Sequence, residues 1–302
     1  MSRQANGWSQ LPTEARHRRS LALDSADSLE VVALLLAEDR RGIDAALAQQ
    51  ETIARVADLL ATTFASGGCT LFAGAGTSGR LGVLEAAECP PTFGTDPRRI
   101  TATIAGGPEA VFTAVEGAED VAAAGREAAS ALGAGDLLIA ISASSVTPFA
   151  HGALRQAAAN GCRTVLLTCA SSDGLEQLAD EVIALDTGAE VLTGSTRLKA
   201  GSATKAVLNA ITTAAMVRCG KVFENLMVDL RPGSAKLRDR AARIVATAAE
   251  LSQARASELL ATAGGEVKTA IVMARCAVTA AVARQHLEAA DGHVRRAIER
   301  YS

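Results

Sequence analysis

The sequence predicts a doubly wound α/β domain followed by a small helical domain. Short apolar runs alternate with helix-like segments from Cys69 to about residue 219. The run DLLIAISAS is continuously apolar rather than alternating, as burial on both faces of a parallel sheet requires. Strand-like runs then stop after Asp229. Composition agrees: the 302 residues are 49% hydrophobic, ample for one large domain or one large plus one small. Aromatics make up only 3% while Ala, Val and Leu abound, which suits tightly packed helices and buried strands.

The elements follow in order. After a polar arm, LEVVALLLAEDRRGIDAALAQQETIARVADLLATTFASGG has helical spacing and is stopped by Gly67 and Gly68. CTLFAGAG reads as a strand entering a turn, and TSGRLGVLEAAE as a helix stopped by Pro90 and Pro91. RITATIAGG is a strand, followed by a predicted helix over PEAVFTAVEGAEDVAAAGREAASAL. DLLIAISAS is the next strand and TPFAHGALRQAAANG its helix; CRTVLLTCA and EVIALDTG are two more strands. A long Ala-rich helix is expected from about Ser202 to Cys219. Such alternation implies right-handed crossovers in one sheet. The tail reads as short helices broken at Gly264–Gly265 and at Gly292. The predicted boundaries are an arm with helices at 1–55, the α/β domain at 56–230 and the helical domain at 235–302.

A net charge of -3, from 30 basic and 33 acidic residues, points to neither nucleic acid nor an anionic membrane as partner. No stretch is long and apolar enough to span a bilayer, and MSRQANGWSQLPTEARHRRS has no apolar signal core, so a cytoplasmic location is expected. Cys69, Cys89, Cys162, Cys169, Cys219 and Cys276 lie in apolar segments without CxxC or Cys/His spacing. They read as buried, reduced thiols, with no structural metal.

Three hydroxyl-rich turns carry the chemistry: GAGTSGR (Gly74–Arg80), SASSVTP (Ser142–Pro148) and TGSTRLKAGSATK (Thr193–Lys205). Each follows a predicted strand, and in a doubly wound sheet the carboxyl ends of the strands share one edge. One such turn is explained by a Ser or Thr N-cap; three converging turns can hold a phosphate and sugar hydroxyls. Gly76, Thr77 and Ser78 offer N–H and hydroxyl groups at a helix N-terminus, an anion site. GAGTSG also spells G-x-G-x-x-G, but no acidic residue ends a second strand ~20 residues on, so phosphate explains it better than a dinucleotide.

Two carboxylate groups compete as acid–base residues. Glu88, between an apolar helix and two prolines, is poorly placed for solvation alone. Glu116, Glu119 and Asp120 lie in VEGAED; on the predicted helix Glu116 and Glu119 share a face and Asp120 is rotated away. An arbitrary carboxylate there would merely solvate that face. His17, His151, His286 and His293 form no cluster, and His151, at a helix start, reads as structural. Arg197 and Lys199 flank the third turn and could serve a phosphate or a substrate carboxylate.

Taken together, GAGTSGRLGVLEAAECPPTFG, VEGAED, TGSTRLKAGSATK, GKVFENLMVDL and the arm LPTEARHRRSLALD resemble the N-acetylmuramic acid 6-phosphate etherase family from about Thr13 to the C-terminus. The resemblance implies a sugar isomerase (SIS) fold with a flavodoxin-like sheet, a small helical C-terminal domain, and a homodimer with its active site near the interface. It implies cleavage of the D-lactyl ether at C3 of the phosphorylated amino sugar, giving N-acetylglucosamine 6-phosphate and D-lactate without metal or redox cofactor. By motif position Glu88 carries over as the acid assisting lactate departure, and Glu119 as the residue taking the C2 proton. Ser142, Ser144 and Thr147 match the phosphate turn of SIS domains, and Ser195, Thr196, Arg197, Lys199 and Lys205 belong to the third.

Departures from the pattern are local. The second turn reads ASSVTP where the family usually has ASGRTP, so Ser145 and Val146 replace a glycine and an arginine. The third reads AGSATK for AGTAQK, keeping Lys205, and His17 stands where asparagine is common. An aldose–ketose phosphate isomerase would need the same phosphate pocket but does not account for ECPP together with VEGAED. A non-catalytic sugar-phosphate sensor usually has two SIS domains, and this chain has room for one.

Overall fold

A computed structural model describes residues 12–230 and 235–300. Five strands, β1 (Thr70–Gly74), β2 (Ile100–Ile104), β3 (Leu137–Ile141), β4 (Arg163–Thr168) and β5 (Glu181–Ala184), form one sheet in the order β2-β1-β3-β4-β5. Every neighbouring pair is parallel. The order is flavodoxin-like and reverses between β1 and β3, the place where such sheets bind ligands. All residues of β1 and β3 are buried, which is why these segments are apolar without alternation.

The helices of this part are α1 (Ser28–Ala48), α2 (Gln50–Ala65), α3 (Gly76–Phe93), α4 (Ala122–Ala128), α5 (Pro148–Ala159) and α6 (Lys199–Arg218). The N-terminal helical run is therefore two helices with a break at Gln49. A capping box starts α1: Asp27 accepts from the Glu30 N–H, and the Glu30 carboxylate accepts from the Asp27 N–H.

The long helix expected after β2 does not form. Two 3-10 turns, Pro108–Val111 and Ala118–Asp120, precede the short α4. Gly117, at φ 74°, is left-handed in the middle of VEGAED, and a right-handed helix cannot pass through it. α4 then crosses α5 backbone to backbone. A Cβ on Gly125 would lie 1.9 Å from the Phe149 carbonyl oxygen, and one on Gly152 2.1 Å from that of Ala122. Phe149, Ala153 and Leu154 of α5 join Leu71, Leu138 and Leu166 of the strands in one apolar core.

The chain divides into two compact units, one of residues 1–86 and 98–212, the other of 87–97 and 213–302. The second contains a hairpin of β6 (Val222–Phe223) and β7 (Leu226–Met227), whose two-residue strands are too short to show a period. It continues with α7 (Ala235–Ala249), α8 (Gln253–Thr262), α9 (Val267–Cys276), α10 (Ala280–Ala289) and α11 (Val294–Glu299) around Val245, Ile271, Val272 and Val294. The breaks at Gly264–Gly265 and Gly292 are present, and left-handed Glu250 and Ala277 add two more. The start of the polar arm, the RPGS segment at 231–234 and the last two residues of the predicted tail lie outside the described residues. No helix among the described residues is long and apolar enough to cross a membrane.

Candidate active site

The first turn leaves β1 at Ala75 and enters α3 at Gly76, which is left-handed at φ 53°. α3 starts hard against the sheet: a Cβ on Gly79 would sit 2.5 Å from Ile104 Cγ1 and 2.7 Å from the Gly74 carbonyl oxygen. Only glycine allows that approach, so the last glycine of GAGTSG serves packing. Gly76, Thr77 and Ser78 are half-buried in the first turn of α3, where backbone N–H groups lack helical partners.

The second turn emerges beside it. Gly74 and Ile141 are partners across β1 and β3, so the two turns leave the sheet next to each other at the switch point. The Ser145 N–H donates to the Ser142 carbonyl at 3.1 Å, and the Ser142 and Thr147 hydroxyls lie 2.8 Å apart. Ser145 is left-handed at φ 63°, a conformation costing a non-glycine residue about 1–2 kcal/mol. His151, on α5, places Nε2 2.7 Å from the Ser145 carbonyl oxygen. A carbonyl only accepts, so Nε2 carries the hydrogen. Ser144 and Thr147 are half-buried, and Val146 is exposed.

The third turn, residues 193–198, lies beside the first. A Cβ on Gly201 would be 3.4 Å from the Thr196 carbonyl oxygen and 3.6 Å from Thr77 Cγ2. Its Gly194 N–H donates to the Thr13 carbonyl of the arm at 3.2 Å. The fully buried Glu190 carboxylate accepts from the N–H groups of Lys199 (3.2 Å) and Ala200 (2.8 Å), capping α6. Burial pushes the Glu190 carboxyl up, and those hydrogen bonds with the Lys199 charge only partly oppose it. Ser195 and Thr196 are half-buried and Arg197 is exposed.

Lys199 is not brought to the mouth of the turns. It is buried, with Nζ 2.9 Å from a Glu38 carboxylate oxygen and 2.8 Å from the Ala189 carbonyl oxygen. Under the start of α6, Cys169 Sγ lies 3.6 Å from both the Ala200 carbonyl oxygen and Thr204 Oγ1. Burial pushes this thiol up to about 11.

Lys205 pairs with Glu85 of α3 at 3.2 Å and also donates to Asn209. Thr212 Oγ1 donates to the other Glu85 oxygen at 2.5 Å. Sequence reasoning passed over Glu85. Its signal was a carboxylate set three residues before Glu88 in the otherwise apolar GVLEAAE, and only the packing of α3 on α6 reveals its partners.

Glu88 lies in the C-terminal part of α3 and is exposed rather than enclosed. Pro90 and Pro91 sit inside the helix, which continues to Phe93. Each proline lacks the N–H that would bond four residues back, and the Gly94 N–H returns to the Pro90 carbonyl at 2.9 Å to close the last turn. Glu119 is exposed on the 3-10 turn Ala118–Asp120. Because Gly117 is left-handed, Glu116 and Glu119 do not share a helix face.

The parallel 2-1-3-4-5 sheet has a flavodoxin-like order shared by many proteins, and the family matches mark this chain as a SIS-domain protein. The family model for the glucokinase regulatory protein N-terminal SIS domain matches residues 51–158, and that for the SIS domain matches 114–214. N-acetylmuramic acid 6-phosphate etherase from Streptomyces avermitilis is 46% identical over 290 residues, covering 95% of this chain and 93% of that one. The Serratia proteamaculans etherase is 46% identical over 294 residues (96% and 98%), and that of Geobacillus thermodenitrificans 44% over 291 (96% and 99%). The chain belongs to the N-acetylmuramic acid 6-phosphate etherase family. Among solved structures, a phosphoheptose isomerase from Neisseria gonorrhoeae aligns with TM-score 0.48 and 18% identity over 63% of this chain and 98% of that one, too loose a likeness to carry an argument.

Proposed function

We propose that this chain is a carbon–oxygen lyase that releases D-lactate from the C3 ether of N-acetylmuramic acid 6-phosphate and leaves N-acetylglucosamine 6-phosphate. The observation that carries the reading is the meeting of three hydroxyl-rich turns at the carboxyl edge of the sheet, in a chain whose relatives bear that name. The turns 76–78, 142–147 and 195–197 receive the phosphate and the sugar hydroxyls. Arg197 adds a cation, while Lys205 stays beside Glu85.

The open-chain aldehyde acidifies the C2 proton, and Glu119 removes it. The C3–O bond then breaks, with Glu88 giving its proton to the departing lactate oxygen. Water adds across the resulting double bond, its oxygen to C3 and a proton to C2, so both carboxyl groups return to their starting states. Each group is expected to contribute ~10²–10⁴ to the rate.

A homodimer suits α1, which leaves Leu29, Val32, Leu36, Ile43 and Leu47 exposed at 45–76% along one stripe of a helix. The second copy covers that stripe, with the active site near the interface. Six free cysteines fit a reducing cytoplasm. We assign 56–230 to phosphosugar binding and 235–302 to the helical domain.

The test is D-lactate release from N-acetylmuramic acid 6-phosphate by wild type, Glu88→Gln and Glu119→Gln. Release by wild type with loss of ~10²-fold or more in each variant supports both the reaction and the pair. No lactate from wild type would remove the lyase reading; near-normal turnover in a variant would remove that residue from the mechanism.

A further inference from the structure

The second turn contains a contact that the reaction itself does not use. Ser145 holds a left-handed conformation suited to glycine, and the neighbouring helix donates to its carbonyl through His151 Nε2 at 2.7 Å. The Ser145–Val146 peptide is trans, so its carbonyl and its N–H point in opposite directions. With the carbonyl held against α5, the Val146 N–H points away from that helix. It has no hydrogen-bond partner among the described residues. A turn followed by a left-handed residue is the arrangement that builds an anion-binding nest of backbone N–H groups.

We propose that His151 is a positioning residue for this turn, fixing the Ser145–Val146 peptide so that the Val146 N–H faces the substrate phosphate. The inference rests on the phosphosugar reading above. The imidazole does not touch substrate; it holds a backbone donor that does. Ser145 supplies a built-in control, because glycine at that position removes the left-handed penalty and lets the turn keep its shape without the clamp.

The experiment compares wild type, His151→Leu, His151→Gln, Ser145→Gly and Ser145→Gly/His151→Leu. Each is assayed for lactate release, for competitive inhibition by inorganic phosphate, and for thermal unfolding. His151→Leu is expected to raise KM and the phosphate Ki about tenfold, the size of one charge-assisted hydrogen bond, with kcat within about twofold of wild type. His151→Gln, which keeps an N–H donor, should fall between the two. In the Ser145→Gly background the same leucine substitution should raise KM by less than about threefold, because the clamp is then redundant.

A stability loss with KM and Ki unchanged would overturn the proposal and leave His151 as a packing residue. Equal increases in both backgrounds would overturn it too. Should His151→Leu fail to fold, the glutamine variant decides: unchanged KM and Ki in it count against the proposal. If phosphate does not inhibit wild type, and N-acetylmuramic acid lacking the phosphate is cleaved equally well, the phosphosugar reading falls and takes the clamp with it. If phosphate inhibits every variant with one Ki, only the clamp falls.

Discussion

Lys199 and Glu38 form an ion pair 2.9 Å long with both side chains almost wholly shut away from water. His17 from the arm stands 3.3 Å from the same carboxylate, and Arg41 and Arg19 lie at 3.1 and 3.7 Å. One carboxylate on α1 thus ties the arm to the first residue of α6, where the third turn ends.

Glu38→Gln should therefore cost about 3–5 kcal/mol, the range for removing one partner of a buried pair, because the Lys199 ammonium is left without its counter-charge. Burial pushes the Glu38 carboxyl up, but the hydrogen bonds and charges of Lys199 and Arg41 outweigh that and hold it below its ordinary 4.5. A lowered folded value means the stabilisation is full above 4.5 and is lost as pH falls through the folded value. Urea midpoints taken from pH 7 downward should fall more steeply for wild type than for Glu38→Gln. Parallel slopes would refute the argument.

Glu190 has the opposite sign. Its folded value is raised, so its favourable contribution is present below the ordinary 4.5 and disappears as pH rises through the folded value. Glu190→Gln should flatten the stability profile on the side above 4.5, where the wild type carries a buried charge. The same urea series reads this out.

Gly152→Ala should destabilise the α4–α5 crossing, since the new methyl would meet the Ala122 carbonyl at 2.1 Å. Backbone must move to admit it, and overpacking of this kind costs about 1–3 kcal/mol. Thermal unfolding checks it; an unchanged midpoint would show that the helices slide apart freely.

Leu36→Glu puts a charge in the exposed stripe of α1, at a side chain 64% exposed in the single chain. The expected outcome is a monomer by light scattering where wild type is a dimer. A wild-type monomer would dismiss the dimer outright.

Glu85→Gln and Lys205→Met, singly and together, should be non-additive. Lys205→Met leaves a buried carboxylate with Thr212 alone, while the double variant removes both charges. Because Lys205 is about a third exposed, the coupling is expected at the modest end of ~0.5–3 kcal/mol in a double-mutant cycle of unfolding energies.

The inner strands β3 and β4 were legible because burial on both faces leaves an apolar run in DLLIAI and TVLLT. The partly buried β2 and β5 were legible through the strand–helix alternation. VEGAED carries helix-forming residues and so predicts a helix over 108–132, while nothing in composition announces that Gly117 is left-handed. Likewise Pro90 and Pro91 read as a stop, and the helix runs only two residues past them, to Phe93. The three turns were visible as hydroxyl clusters. The occupation of Lys199 by Glu38 was not, since 161 residues separate them and only the fold joins them.

Cys169 has a practical consequence. A thiol pushed up to about 11 and sealed beneath the start of α6 presents almost no thiolate to an alkylating reagent near neutral pH. It reacts only when that helix end lifts away. The rate at which Cys169 takes up label is thus an intrinsic clock for opening of the structure behind the third turn, read by mass spectrometry on the unmodified protein. A ligand seated in that turn should slow the clock.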